Sequence, residues 1–270
     1  MYFTGPDGPV SPFHDIPLYA NPEQTEVHMV VEIPRWTSAK MEISKSEPLN
    51  PIKQDVKRGC VRFVDSVFPY RGYLWNYGAL PQTWEDPGHT DIRTGAAGDN
   101  DPLDVCEIGS RLSTRGSVLR VRPLGLLGLI DEGETDWKVL AIDTQDPIAD
   151  KLQDVDDVQL YMPGLLEATL SWFRNYKVPQ GGSPNRFAFE EEFRDAALAV
   201  EVIAETHRQW RAMMSRAVDP GGISCAHTGD SAEVGADRLT RRDAEAIVEA
   251  APPPAPPYPM PESADRWHFV

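Results

Sequence analysis

Residues Gly98 to Glu107 read Gly-Asp-Asn-Asp-Pro-Leu-Asp-Val-Cys-Glu and crowd Asp99, Asp101, Asp104 and Glu107 into one short stretch. At neutral pH carboxylates this close repel one another, so a shared site either raises their pKa values or recruits hard cations with oxygen ligands. An EF-hand calcium loop is excluded by spacing. Counted from Asp99, the fifth position is Leu103, the sixth is Asp104 where the turn needs glycine, and the twelfth is Ser110 in place of glutamate. In isolation the segment reads as an acidic surface turn, with Pro102 fixing φ and Asp99 making an Asx-type bond.

Two further segments carry related chemistry. Asp131-Glu132-Gly133-Glu134-Thr135-Asp136-Trp137-Lys138 combines acids, a glycine turn and a cation just before a strand expected over Val139 to Ile142. It suits additional metal ligands with a lysine for phosphate, or equally a charged hairpin turn. In Lys40-Met41-Glu42-Ile43 an extended backbone puts Lys40 and Glu42 on one face and Met41 and Ile43 on the other, which presents a cation beside a carboxylate. Alone, that pair reads as a solvated face with a weak ion pair.

The elements that must hold these residues change character along the chain. From about Val27 to Ile142 short runs alternate with period two, as in Val27, Met29, Val31 and Ile33, and recur at Met41 to Ile43, Val61 to Val64, Val118 to Val121 and Val139 to Ile142. Gly and Pro turns between them, without a βαβ rhythm, predict a small antiparallel barrel. After Pro163 the period becomes helical. Leu166, Leu170, Phe173 and Lys177 share a face between Pro163-Gly164 and Pro179, and Phe193, Ala196, Val200, Ile203, His207, Trp210 and Met214 form a second stripe whose His207 and Trp210 read as packing residues. The fold expected is mainly β with flanking helices (α+β).

Residues 1–218 are expected to form one domain and 219–270 a C-terminal extension. The extension is read as loop, a helical candidate from Arg241 to Ala250, a polyproline-like tether from Pro252 to Pro261, and a tail whose Trp267 and Phe269 could dock on the main body.

The 270 residues are 41% hydrophobic and 25% charged, enough for a proper core. A net charge of −16 argues against nucleic acid or an anionic membrane as main partner, so an anionic ligand would have to arrive bridged by cations. Cys60, Cys106 and Cys225 have no metal-type spacing, and the start lacks the basic and apolar regions of a signal peptide. The stretch Leu124 to Ile130 is too short to span a bilayer. A soluble, cytoplasmic protein is expected.

The acidic segments occur in one order with Arg62-Phe63-Val64, Gly72-Tyr73-Leu74-Trp75-Asn76-Tyr77-Gly78, Pro81-Gln82-Thr83-Trp84-Glu85-Asp86-Pro87 and Phe173-Arg174-Asn175-Tyr176-Lys177. Together they resemble the soluble family I inorganic pyrophosphatases of the larger eukaryotic type, including the complete Asp-x-Asp-Pro-x-Asp signature. The resemblance runs from about Val10 to Trp210. It implies a five-stranded OB-like antiparallel barrel with two main helices after residue 160. The implied activity is Mg²⁺-dependent hydrolysis of inorganic pyrophosphate to two phosphates, using several ions per site, in a homodimer.

By motif position the resemblance implies Asp99, Asp104 and Asp136 as principal metal ligands, Asp131 as ligand of a substrate-associated ion, and Glu42 as contributor to another. Glu32, Glu85 and Asp86 are implied as more peripheral. Asp101 matches the general base, and Lys40, Arg62, Tyr77, Lys138, Tyr176 and Lys177 match phosphate contacts. Tyr73 matches a tyrosine that either donates a proton or orients water. Oxygen-only ligands suit a polyanion bridged by magnesium, and water held between two ions loses a proton more easily than bulk water. A non-catalytic scaffold subunit is the alternative, and its mark would be missing ligands. A nucleotide hydrolase lacks support without a Gly-x-x-x-x-Gly-Lys loop.

Overall fold

A computed structural model describes residues 1–229 and 237–270. Its frame is five strands: β1 (Val27–Ile33), β2 (Asn76–Ala79), β3 (Asp104–Glu107), β4 (Val118–Asp131) and β5 (Glu134–Asp143). They pair in the order β5-β3-β2-β1-β4, and β4 also pairs with β5, so the sheet closes into the expected five-stranded barrel. Closure leaves these strands no long unpaired edge. One barrel pairing departs from the antiparallel rule. β3 and β5 run parallel, with Asp104 opposite Lys138 and Val105 opposite Val139. Parallel neighbours need a crossover, and the long return strand β4 supplies it.

Local sequence explains the irregularities. Register shifts between Pro123 and Gly125 in β4, where proline has no N–H for the ladder. Glu132 and Gly133 join β4 to β5 with φ of 52° and 97°, the left-handed pair of a tight hairpin. β5 therefore starts at Glu134, five residues before the strand expected from Val139. Asp136 and Lys138 are consequently strand residues on one face, where the sequence suggested a charged turn. The expected strand over Val61 to Val64 is reduced to a two-residue strand, Cys60–Val61, and a lone bridge from Phe63 to Ala39.

Buried side chains of the strands enter three apolar clusters, the third holding Val30 and Ala79 with Phe13, Trp84 and Trp210. Val27, Met29, Val31, Val105, Val139 and Ala141 join the first with Val202 and Ile203, while Leu127, Leu129, Leu140 and Ile142 join the second with Trp172 and Phe173. The irregularity in β1 between Val31 and Ile33 moves Ile33 into the second cluster. Trp75 is fully buried there, stacked on Phe173 and donating to Thr169 Oγ1 at 3.0 Å. Its ring belongs to the core.

Among the described residues there are four α-helices, α1 (Val155–Tyr161), α2 (Leu165–Asn175) and α3 (Ala196–Met214) beside the barrel and α4 (Arg241–Ala250) on the N-terminal hairpin. α1 was not expected. It is held by a capping box between Asp154 and Asp157 and buries only Val158, too little for a periodic stripe. α2 is entered through Gly164 and ends at Asn175, so Tyr176 and Lys177 lie just beyond it. α3 is capped by Asp195 and buries Ala199, Val202, Ile203, Thr206 and Trp210, leaving Val200 40% exposed. Ile203, Trp210 and Met214 of the expected stripe are buried, and the buried face extends to Val202, Met213 and Thr206, whose hydroxyl bonds back to the Val202 and Ile203 carbonyls.

In the C-terminal segment Trp267–His268 pairs in parallel with Ser66–Val67. The part of the expected loop at 230–236 lies outside the described residues.

Gly78 in β2 leaves no room for a side chain, because an added Cβ would lie 1.9 Å from the Val30 carbonyl oxygen. Gly78→Ala is expected to cost about 3 kcal/mol or more, the upper end for overpacking. Urea unfolding of the variant checks this, and a midpoint within error of the parent would contradict it.

Candidate active site

All the site residues expected from sequence except Arg62 and Lys177 line one cleft beside the second apolar cluster. β5 contributes Asp136 and Lys138, β3 contributes Asp104 at its first residue, and β2 contributes Tyr77. The loop before β3 carries Asp99 and Asp101, where the Asp101 N–H donates to Asp99 Oδ1 at 2.9 Å in the expected Asx-type turn. That loop is pressed against residues 85–86, since a Cβ on Gly98 would meet the Glu85 carbonyl carbon at 2.4 Å. The Glu85 N–H donates to the Asp101 carbonyl and the Asn100 N–H to the Glu85 carbonyl, at 2.9 and 3.0 Å.

Lys138 is the hub. Its ammonium, 5% exposed, donates to Asp104, to Asp136 Oδ1 at 2.5 Å and to the Tyr77 hydroxyl at 3.0 Å. Tyr77 in turn donates to Asp104 Oδ2 at 2.5 Å. Burial opposes the lysine's charge, but Asp104 and Asp136 outweigh it and raise its pKa well above the usual value. One lysine does not neutralise this wall. Burial pushes Asp136 up to about 7 against the pull of Lys138, with the Asp104 charge adding to the rise. Burial and the neighbouring acids also hold Asp99 and Glu85 well above the carboxylate range.

Glu85, Asp99 and Asp136 each place an oxygen within 4.8 Å of the others. Glu85 Oε1 accepts from the Trp137 N–H at 3.0 Å, while buried Oε2 has no partner. An orphaned carboxylate oxygen in an oxygen-only cluster fits a hard divalent cation such as Mg²⁺. Glu85 thus belongs with the central acids, and the sequence reading had held it peripheral. Glu32 also lines the cleft, with Oε1 accepting from the Ile43 N–H at 2.6 Å. Asp86 caps its own loop by accepting from the Gly88 N–H. Glu107, the last residue of β3, is spent on Asn76 and on the backbone of Gly109 and Asp143.

The remaining cations and phenols pair with acids around the cleft, whose lining Arg62 and Lys177 do not join. Lys40 lies 2.9 Å from Glu42 and 3.6 Å from Asp55, and Arg62 Nη1 lies 2.5 Å from Asp55 Oδ2. Lys177 pairs with Asp131, whose other oxygen accepts from the Tyr176 hydroxyl at 3.2 Å. Burial raises the pKa of Tyr73, Tyr77 and Tyr176, so these phenols stay protonated at neutral pH. Sequence reasoning missed Asp55, which joins Lys40 to Arg62, and Lys45, which sits 2.6 Å from Asp101. Neither lies in a dense motif. Asp55's only signal was its place seven residues before Arg62, across a hairpin whose register the sequence did not reveal.

Residues 29–211 match the family model described as inorganic pyrophosphatase. The chain belongs to the inorganic pyrophosphatase family. It is 54% identical to the inorganic pyrophosphatase of Bos taurus and 53% identical to that of Homo sapiens, in each case over 96% of this chain and 88% of the relative. The inorganic pyrophosphatase structure from Schistosoma japonicum superposes with a TM-score of 0.95 at 46% identity, covering 100% of this chain and 95% of that one. A truncated vacuolar soluble pyrophosphatase of Trypanosoma cruzi, solved in complex with PPi, matches at TM-score 0.71 and 45% identity over 78% of this chain and 81% of its own. Near-complete coverage of the eukaryotic relatives identifies this pyrophosphatase as the eukaryotic type, matching the resemblance read from its motifs.

A raised carboxyl pKa in the folded state means that the fold favours the protonated acid. Its stabilising contribution is full below the unfolded pKa near 4 and is lost as pH rises towards about 7 for Asp136. Divalent cations bound by the deprotonated acids would restore that stability. Thermal melts in EDTA and in excess Mg²⁺ are therefore expected to differ more at about pH 8 than at about pH 5. Equal gaps at both values would contradict this electrostatic account.

Proposed function

We propose that the chain hydrolyses inorganic pyrophosphate to two phosphates with several Mg²⁺ ions held by Asp99, Asp104, Asp131, Asp136 and Glu42, joined by Glu85. The carrying observation is one cleft lined by Asp99, Asp101, Asp104, Asp131 and Asp136 together with Lys40, Lys138, Tyr73, Tyr77 and Tyr176, backed by a Glu85 carboxylate whose buried Oε2 has no partner. Family membership supports pyrophosphate as substrate. The complete acid set argues against a scaffold that has lost its chemistry.

Divalent ions in this wall supply Lewis-acid polarisation of phosphate oxygens and acidify the water they hold. The chain's own residues do the rest. Asp101, with its side chain 44% exposed towards the cleft, accepts the proton of the attacking water. Lys40, Lys138 and Lys177 bind phosphate oxygens, and the planar fork of Arg62 holds two at once. Tyr77 and Tyr176 donate hydrogen bonds, and protonated Tyr73 is available as a donor to the leaving phosphate or as an orienting group. Because these groups already sit in place, they stabilise the charge that develops on the leaving phosphate without reorganising.

We extend the reading to a cytoplasmic homodimer. Supporting it, the three cysteines are free and no helix among the described residues is long and apolar enough to cross a membrane. Exposed Phe68 packs against Trp267 and Phe269, an aromatic patch suited to burial between two copies. Sedimentation is expected to give twice the chain mass, and a Phe68→Ser, Trp267→Ser variant to shift towards monomer.

Phosphate release from pyrophosphate should require Mg²⁺ and cease in EDTA, with ATP a poor substrate. Asp101→Asn should lower kcat by about 10²–10⁴-fold, the usual contribution of a general base. Asp104→Asn should raise the Mg²⁺ requirement as well. Full turnover in EDTA, or parental rates in both variants, would reject the assignment.

A further inference from the structure

Residues 252–261 read Pro-Pro-Pro-Ala-Pro-Pro-Tyr-Pro-Met-Pro, with seven prolines, so only Ala255, Tyr258 and Met260 keep a backbone donor. Residues 252–260 are all exposed and lie in no helix or strand. Among the described residues no hydrogen bond engages them. Both ends are fixed. Upstream, α4 buries Ala244 and packs on the N-terminal hairpin Phe3–Val10. Downstream, Ala264 is buried, its carbonyl accepts from Ser66 Oγ at 3.3 Å, Asp265 meets Arg71 at 2.5 Å, and the strand pairing at Trp267–His268 follows. The barrel and the cleft make no use of the proline run.

A connector between two fixed points is either slack and rich in glycine and serine or a semi-rigid proline-rich spacer. This segment is of the second kind. Each proline locks φ near −65°, and each residue before a proline is driven to extended values, so the run is a polyproline II rod before any partner arrives. Its carbonyls and ring faces point to solvent, and the entropy of ordering is largely spent in the free protein. Rods of this kind are read by grooves lined with aromatic side chains. Charge narrows the class. No charged residue occurs between Glu249 and Glu262, so a groove that also demands a basic side chain in an acidic pocket finds none.

We propose that residues 252–260 are a docking segment for a partner domain with an uncharged, aromatic-lined polyproline groove, with Tyr258, 60% exposed, as an added stacking side chain. This inference is independent of the catalytic reading. The test titrates the intact chain into ¹⁵N-labelled profilin, a probe with such a groove, and in parallel into an SH3 domain, whose groove carries an acidic pocket. Shifts confined to the profilin aromatic groove are expected, with tighter binding than to SH3. The variant Pro254→Ala, Pro256→Ala, Pro257→Ala should weaken binding by about tenfold or more while leaving pyrophosphate hydrolysis and thermal stability unchanged. Absence of groove shifts, equal affinity of the variant, or tighter binding to SH3 would overturn the proposal.

Discussion

The architecture turns on one electrostatic imbalance: buried Lys138 faces Asp104 and Asp136 directly, with Asp99 and Glu85 behind them. A single ammonium cannot compensate four carboxyl groups in a partly dehydrated cleft, and the excess appears as raised pKa values and an unpartnered Glu85 oxygen. Such a site is stable as a protonated cluster or as a cation-binding one. On the proposed reading, hard divalent ions would favour the second state by binding the deprotonated acids. The same imbalance gathers the oxygen ligands that could hold a metal ion.

The barrel exists in the form that sustains this imbalance. The parallel pairing of β3 with β5 sets Asp104 opposite Lys138, and neither an antiparallel partner nor a one-residue slip would keep the two in the cleft. Gly78 and Gly98 allow backbones to meet where side chains would intervene, drawing Tyr77 and the Asp99–Asp101 turn inward. Behind the site, Trp75, Phe173 and Trp172 make a rigid aromatic floor, with the Lys138 ammonium 5.5 Å from the Phe173 ring centre. That floor limits water and strengthens every charge interaction above it.

Much of this was legible in sequence. Period-two runs gave away β1 and the end of β5, a shared face between Pro163-Gly164 and Pro179 gave away α2, an apolar stripe gave away α3, and α4 coincides with its expected span. The acids of the Asp99–Asp104 run declared their chemistry through local density alone. What escaped was the short α1, the early start of β5 and the burial of Thr206 in α3, because in each case a cap, a tight turn or a back-bonded threonine overrode the apolar pattern.

The chain by itself determined which chemistry was affordable: oxygen ligands in excess, lysines and phenols for phosphate, no soft ligand cluster, and a strand-rich frame. Tertiary structure alone decided who stands beside whom. It brought Glu85 to Asp99 and Asp136, set Asp55 between Lys40 and Arg62, and placed Lys45 against Asp101. Residue type and periodicity are local properties, written in neighbouring positions. Burial, charge pairing and register arise between segments far apart in the chain and take definite values only once the barrel has closed.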